Sequence, residues 1–167
     1  MEVYILRHAV AVKRTEAAYP DDDRPLTEDG IKKMELAAKG MARVVPALDA
    51  IYTSRLSRAA GTARIAARAM WCEGIIETCT ELMPGAPAKG VLSLLARNRM
   101  KKRVLIVGHE TGLGLFASAL IGSHTHVIEF KKGALCRIDI ACLPLETPGR
   151  VIWHLSPKHL RLLGKGR

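Results

Sequence analysis

The stretch VYILRHAVAV, residues 3–12, decides how the rest of the chain is read. It predicts a buried strand over about Glu2–Leu6, and that strand ends on a cation and an imidazole, Arg7-His8. Strand alternation sends the two side chains in different directions, so they do not form one solvated patch. In an open α/β sheet the carboxyl ends of the strands are where ligands bind. A cation beside an imidazole suits an anion there. The plainer reading is an ordinary strand end with two polar residues, and the remaining sequence has to decide between the two.

Downstream, a polar loop ending DDDRPLT runs to Thr27. Thr27 has the chemistry of an N-cap, with Glu28 and Asp29 in the first turn where the helix dipole favours acids. Ile31, Met34, Ala38, Met41 and Val45 follow at helical spacing. LDAIYTS is a second strand, and Leu56, Ala60, Ala63, Ala67 and Met70 form a second helical face. GIIETC and APAKGVLSLLARN give a third strand and helix, and RVLIVG and TGLGLFASALIG a fourth pair. RVLIVG is almost wholly apolar, as buried parallel strands are. The remainder, THVIEFKKGALCRIDIACLP and RVIWHLSP, has strand character broken by Lys-Lys-Gly and Pro. Alternating strands and helices imply a three-layer, doubly wound α/β fold: a mostly parallel central sheet, helices on both faces, and a possible antiparallel edge.

The 167 residues imply one domain spanning 1–167, and the 49% hydrophobic content implies an ordinary core. No run of about eighteen apolar residues exists, and no leader pattern opens the chain, so a soluble cytoplasmic protein with no membrane partner is expected. Cys72, Cys79, Cys136 and Cys142 are too widely spaced for a CxxC motif and read as reduced thiols, several of them buried in strands. A net charge of +10 favours anionic partners. The cations are scattered, with mild clusters at Arg97–Arg103 and in the tail from Lys158 to Arg167, and no aromatic interleaving accompanies them. A specific nucleic-acid reader is therefore not expected.

Parallel strands deliver their carboxyl ends to one rim. The first strand brings Arg7-His8, the second leads into TSRLSRAAGTA, and the fourth ends in VGHE with His109. Two imidazoles and two guanidiniums make a poor acid–base pair and a good oxyanion clamp. An imidazole among arginines has a lowered pKa, stays neutral and remains nucleophilic. The chemistry this suggests is phosphoryl transfer to a histidine.

LRHA, RPLTEDG, SRLSRAAGTA and VGHE, in this order, resemble the histidine phosphatase superfamily, and within it the small SixA-type phosphohistidine phosphatases. The likeness runs from Val3 to the closing WHLSP and implies the phosphoglycerate mutase-like fold. It also implies that His8 is the nucleophile that becomes phosphorylated, and that Arg7, Arg58 and His109 bind the phosphoryl oxygens. Arg58, and not Arg55, precedes Ala in the RA..TA run of the family. Ala9 stands where many members have Gly, and Thr111 where Pro is common. Arg24 either helps hold the phosphoryl group or anchors its loop. Glu81 stands where larger members supply a general acid, or is a surface carboxylate.

A phosphohistidine needs that acid less than an alkyl ester does, because imidazole is the better leaving group. Only about ten residues separate the third strand from the third helix, too few for a lid. A shallow site admits a histidine displayed on a phosphorylated carrier protein. Two alternatives stand beside this reading: a broad phosphomonoesterase acting on small phosphorylated molecules, and an inactive phosphate- or phosphoprotein-binding module. VGHETGLG loosely fits a dinucleotide turn, but it follows a late strand and no Tyr-x-x-x-Lys comes after it; no GK[ST] motif exists either, so no cofactor is implied. His124 and His126 could share one face of a strand, but no third ligand has suitable spacing, so no metal is expected.

Overall fold

A computed structural model describes residues 1–15 and 18–166; Glu16 and Ala17 of the acidic loop and Arg167 of the basic tail lie outside the described residues. The elements in chain order are β1 (Glu2–Arg7), α1 (Glu28–Val44), β2 (Ala50–Thr53), α2 (Ser57–Ala69), β3 (Ile76–Thr78), α3 (Ala88–Arg97), β4 (Arg103–Gly108), α4 (Gly112–Leu120), β5 (Leu135–Asp139), β6 (Arg150–Leu155) and α5 (Pro157–Lys165). The strands form one six-stranded sheet in the order β3-β2-β4-β1-β5-β6. Strands β1 to β4 are mutually parallel, whereas β5 runs antiparallel to both β1 and β6.

Alternation along the strands feeds two cores. Tyr4, Leu6, Ile51, Leu105 and Val107 pack with α1, α2 and α5 on one face. Val3, Ile5, Tyr52, Val104 and Ile106 pack with α3 and α4 on the other. Thr27 caps α1 as its sequence position suggests, its Oγ1 accepting the Gly30 N–H at 2.9 Å.

Several elements depart from the sequence pattern. Ile31 is 37% exposed; Gly30 and Ala37 join Met34, Ala38 and Met41 on the buried side of α1. In α2 the buried face is Ala59, Thr62, Ala63, Ala66 and Ala67, so Ala60 and Met70 lie at its margin. Only Cys136 among the cysteines is buried in a strand; Cys72, Cys79 and Cys142 are half-buried, and all four are free thiols. The THVIEF segment is not a strand, because side chains take its backbone donors. Ser118 Oγ accepts from Val127 N at 3.0 Å and Ile128 N at 3.2 Å, and Glu110 accepts from Phe130 N at 3.4 Å.

The basic tail contains α5, which the sequence pattern did not reveal. Ser156 caps it, accepting the His159 N–H at 3.3 Å, and Pro157 occupies the first helical position. Leu160 is fully buried against α1. The crossing is close because both helices offer a glycine: Gly40 faces the Leu160 carbonyl and Gly164 faces the Leu36 carbonyl.

Gly40→Ala should therefore destabilise the protein. Alanine gains about 1 kcal/mol of helix propensity, but its methyl meets a backbone oxygen that no rotamer change can move. Overpacking of this kind costs roughly 1–3 kcal/mol. A lower urea midpoint for the variant is the expected outcome; an unchanged or higher one would show that α5 can retreat freely.

Candidate active site

The site begins with a register. β1 and β4 pair in parallel with Arg7 opposite Gly108. The pairing extends one residue further, as His8 N donates to the Gly108 carbonyl at 3.0 Å. His8 and His109 therefore leave the sheet side by side, their ring centroids 5.1 Å apart. β2 lies on the other side of β4, with Thr53 opposite Val107, and brings Ser54 up to His109. Arg58, in the first turn of α2, turns back toward the same rim.

His8 Nδ1 lies 2.8 Å from the Ala9 carbonyl. A carbonyl only accepts, so Nδ1 carries the hydrogen and Nε2 keeps its lone pair. Burial, reinforced by the charges of Arg58, Arg7 and Lys132, pushes the His8 pKa down to about 4, and only the Ala9 hydrogen bond opposes the shift. His109 falls to about 3, through burial first and then its neighbours His8 and Arg58; Asp21 acts the other way, and Arg7 adds a smaller push down. Both rings are neutral at pH 7. His109 Nε2 is 2.6 Å from Ser54 Oγ, which also takes the Leu56 N–H at 3.4 Å. Donation of the Ser54 hydrogen to Nε2 would place the His109 proton on Nδ1. That atom is buried and has no protein partner among the described residues.

The cations are held from outside. Arg7 donates through Nη1 to the Phe130 carbonyl, and its Nε is buried with no partner among the described residues. Arg58 donates to the Asp21 carbonyl at 2.7 Å and lies 3.7 Å from the Asp21 carboxylate. Asp21 also receives Arg14 at 3.0 Å and Arg24 at 2.9 Å. Arg24 is otherwise occupied with the Val12 carbonyl at 2.7 Å, so its direct contacts are those of a loop anchor. Arg55 is exposed, 3.5 Å from the Asp22 carboxylate, whereas Arg58 is buried.

Glu81 sits in a 3-10 turn, Thr80–Leu82, and shares with His109 a cleft of about 120 Å³. Its own backbone N–H and the Arg97 guanidinium, 2.6 Å away, hold its carboxyl below the usual range. It is a carboxylate at pH 7. His126, considered as a metal ligand, instead contacts Glu110 at 3.0 Å. Among the described residues no group of three or more His, Cys, Asp or Glu converges as a metal site would require.

Two residues at the site were not singled out from the sequence. One is Ser54, which fixes His109. The other is Thr62, whose hydroxyl donates to the Arg58 carbonyl at 2.7 Å and accepts the Ala9 N–H at 3.0 Å. Thr62 thereby ties the residue after His8 to the turn carrying Arg58. The RA..TA run contained the signal, but as a sequence pattern and not as a contact.

Residues 3–82 match the family model of the histidine phosphatase superfamily (branch 1). An uncharacterized protein of Picosynechococcus sp. (strain ATCC 27264 / PCC 7002 / PR-6) is 31% identical over 165 residues, covering 96% of this chain and 99% of the relative. The chain belongs to the histidine phosphatase superfamily. Enzymes of this superfamily are phosphatases that use a histidine nucleophile and need no metal. Two solved structures extend the likeness across the phosphatase fold. The protein histidine phosphatase SixA complexed with tungstate is 25% identical, with a TM-score of 0.84, over 96% of this chain and 99% of that one. A protein of Agrobacterium tumefaciens proposed to be the phosphohistidine phosphatase SixA is 28% identical, with a TM-score of 0.77, over 93% and 97%.

Two outcomes follow from this geometry. Folded His8 and His109 titrate near 4 and 3, against an ordinary value of 6.5, so the unfolded chain binds more protons between those limits. Stability is therefore complete above about pH 6.5 and declines as the pH falls toward 4; Asp21, Asp49 and Glu81, also held down, act in the same direction at lower pH. Urea midpoints measured at pH 5 and pH 7 should differ less in the His8→Asn, His109→Asn double variant than in the parent. In turnover, Arg58→Ala should lower kcat/KM about a hundredfold or more, the range of a lost oxyanion donor. Arg55→Ala should change it little. A reversed order would remove Arg58 from the site.

Proposed function

We propose that this phosphatase removes phosphoryl groups from histidine side chains of other proteins, the whole chain working as one domain. His8 Nε2 attacks the phosphorus in line, and the bond from phosphorus to the substrate imidazole nitrogen breaks. Arg7, Arg58 and the Nδ1–H of His109 hold the three phosphoryl oxygens as charge spreads over them. The substrate ring departs with a proton already on it, as neutral imidazole. Water then attacks phospho-His8, which releases inorganic phosphate and restores the neutral ring. The first transfer breaks and makes the same bond type and is close to isoenergetic.

The observation that carries the substrate class is Glu81. With Glu110 it lines the cleft beside His109, where the sequence resemblance places a general acid, and its pairing with Arg97 keeps it ionised. An ionised carboxylate cannot donate the proton that an alkoxide leaving group requires. A protonated imidazole leaving group makes no such demand. The similarity to SixA over nearly the whole length supports the same reading. Arg24 completes the proposal as a positioning residue that, through Asp21, steadies Arg58.

Initial rates on a phosphohistidine protein, an alkyl phosphate and a phenyl phosphate, measured side by side, test the proposal. The phosphohistidine protein should be turned over fastest. Glu81→Gln should slow it only modestly, while the slower alkyl ester reaction loses a larger share of its rate. A faster alkyl ester, or equally large losses on all three substrates, would favour a broad phosphomonoesterase instead.

A further inference from the structure

A second concavity lies apart from the active site. It is a groove of about 740 Å³ on the outer side of α2, between α2 and α1. Its floor is apolar, including Leu26, Ile65 and the exposed Ile31. Lys39, Arg64 and Arg68 rim it against a single acid, Glu35.

Trp71 closes one end and is 94% exposed. Its backbone has φ +56°, in the left-handed region. The position ends α2 in a Schellman arrangement: Cys72 N donates to the Ala67 carbonyl at 3.0 Å, and Trp71 takes the place that glycine ordinarily fills. A bulky residue there is strained. The strain is not relieved by packing, since the indole lies almost wholly in water. Exposed tryptophans beside apolar grooves have the composition of interface anchors.

The other end of the groove reaches Pro25 and Ser57, adjoining Arg24 and Arg58. Arg58 and Thr62 occupy the inner side of the same helix. A body lying in the groove is thus about one helix diameter, roughly 10 Å, from the catalytic rim.

We infer that this groove docks the phosphorylated protein itself, through an amphipathic helix whose apolar stripe is flanked by acidic residues. The inference rests on the proposed phosphohistidine substrate. The 13 residues of α2 span about 20 Å, which matches a partner helix of three to four turns. The cationic rim, on a chain of net charge +10, selects acidic flanks. The cleft of about 120 Å³ beside His109 provides little area for recognising a protein, and the groove supplies it.

The test uses an acidic helical phosphotransfer domain, phosphorylated on its histidine with phosphoramidate, and phosphoramidate alone as the small substrate. Trp71→Gly suits the backbone and should leave the melting temperature unchanged or higher. It should lower kcat/KM on the phosphorylated domain about tenfold, through KM. Turnover of phosphoramidate should be unchanged. Arg64→Glu with Arg68→Glu should act in the same direction and weaken the salt dependence. Equal kcat/KM on the domain for parent and variants would overturn the docking assignment and leave the substrate reading intact. A parent enzyme that hydrolyses esters but not the phosphorylated domain would overturn both. A parent dimer that Trp71→Gly dissociates, seen by sedimentation without substrate, would assign the groove to a second copy of this chain and overturn the proposal.

Discussion

The parallel pairing of β1 with β4 is the constraint on which the site depends. Once Arg7 stands opposite Gly108, the next residue of each strand is a histidine, and neither can move without breaking the central ladder. The two imidazoles need no partner to bring them together, because backbone hydrogen bonds already do. β2, on the far side of β4, adds Ser54 by the same logic. Side-chain chemistry here is positioned by sheet register, which is stiffer than any loop.

The electrostatics follow from that placement. Burial removes the water that would stabilise an imidazolium, and the nearby guanidiniums then disfavour it further. Each arginine has an oxygen to donate to: Phe130 for Arg7, Asp21 for Arg58. Exposed ion pairs such as Arg14–Asp21 contribute little singly, about 0–1 kcal/mol. Their value here is geometric. Asp21 gathers Arg14, Arg24 and Arg58 on one residue, so the 3-10 turn Asp21–Asp23 becomes a fixed backing for the buried cation.

Much of this was legible in the sequence because strand ends are. The apolar runs of β1 and β4 located two strands, and the polar residues immediately after them located the rim. The motif order then separated Arg58 from Arg55, a choice in keeping with their burial. Less legible was anything decided by contact between distant segments. Thr62 looks like a helix residue until its hydroxyl is seen bridging Ala9 and Arg58. The THVIEF run has strand composition, but Ser118 and Glu110 take its N–H groups, a competition invisible to periodicity. Ile31 fits a helical stripe and still faces the groove, since the pattern fixes a face and not what covers it.

The tail shows how far such remote contacts reach. Read as a cluster of cations, it is instead a helix whose Leu160 and Gly164 lock onto α1 at Gly40 and Leu36. At its other end α1 holds the segment that follows His8. Thr27 N donates to the Val10 carbonyl at 3.1 Å, and Gly30 packs against that same oxygen so closely that a side chain would collide with it. Val10 is two residues from His8, and Ala9 between them is already tied to Thr62. The His8 ring is thus oriented by Ala9, Ala9 is fixed by α2 and, through Val10, by α1, and α1 is fixed by α5. Two glycine contacts at the α1–α5 crossing belong to the support of the proposed nucleophile near the beginning of the chain.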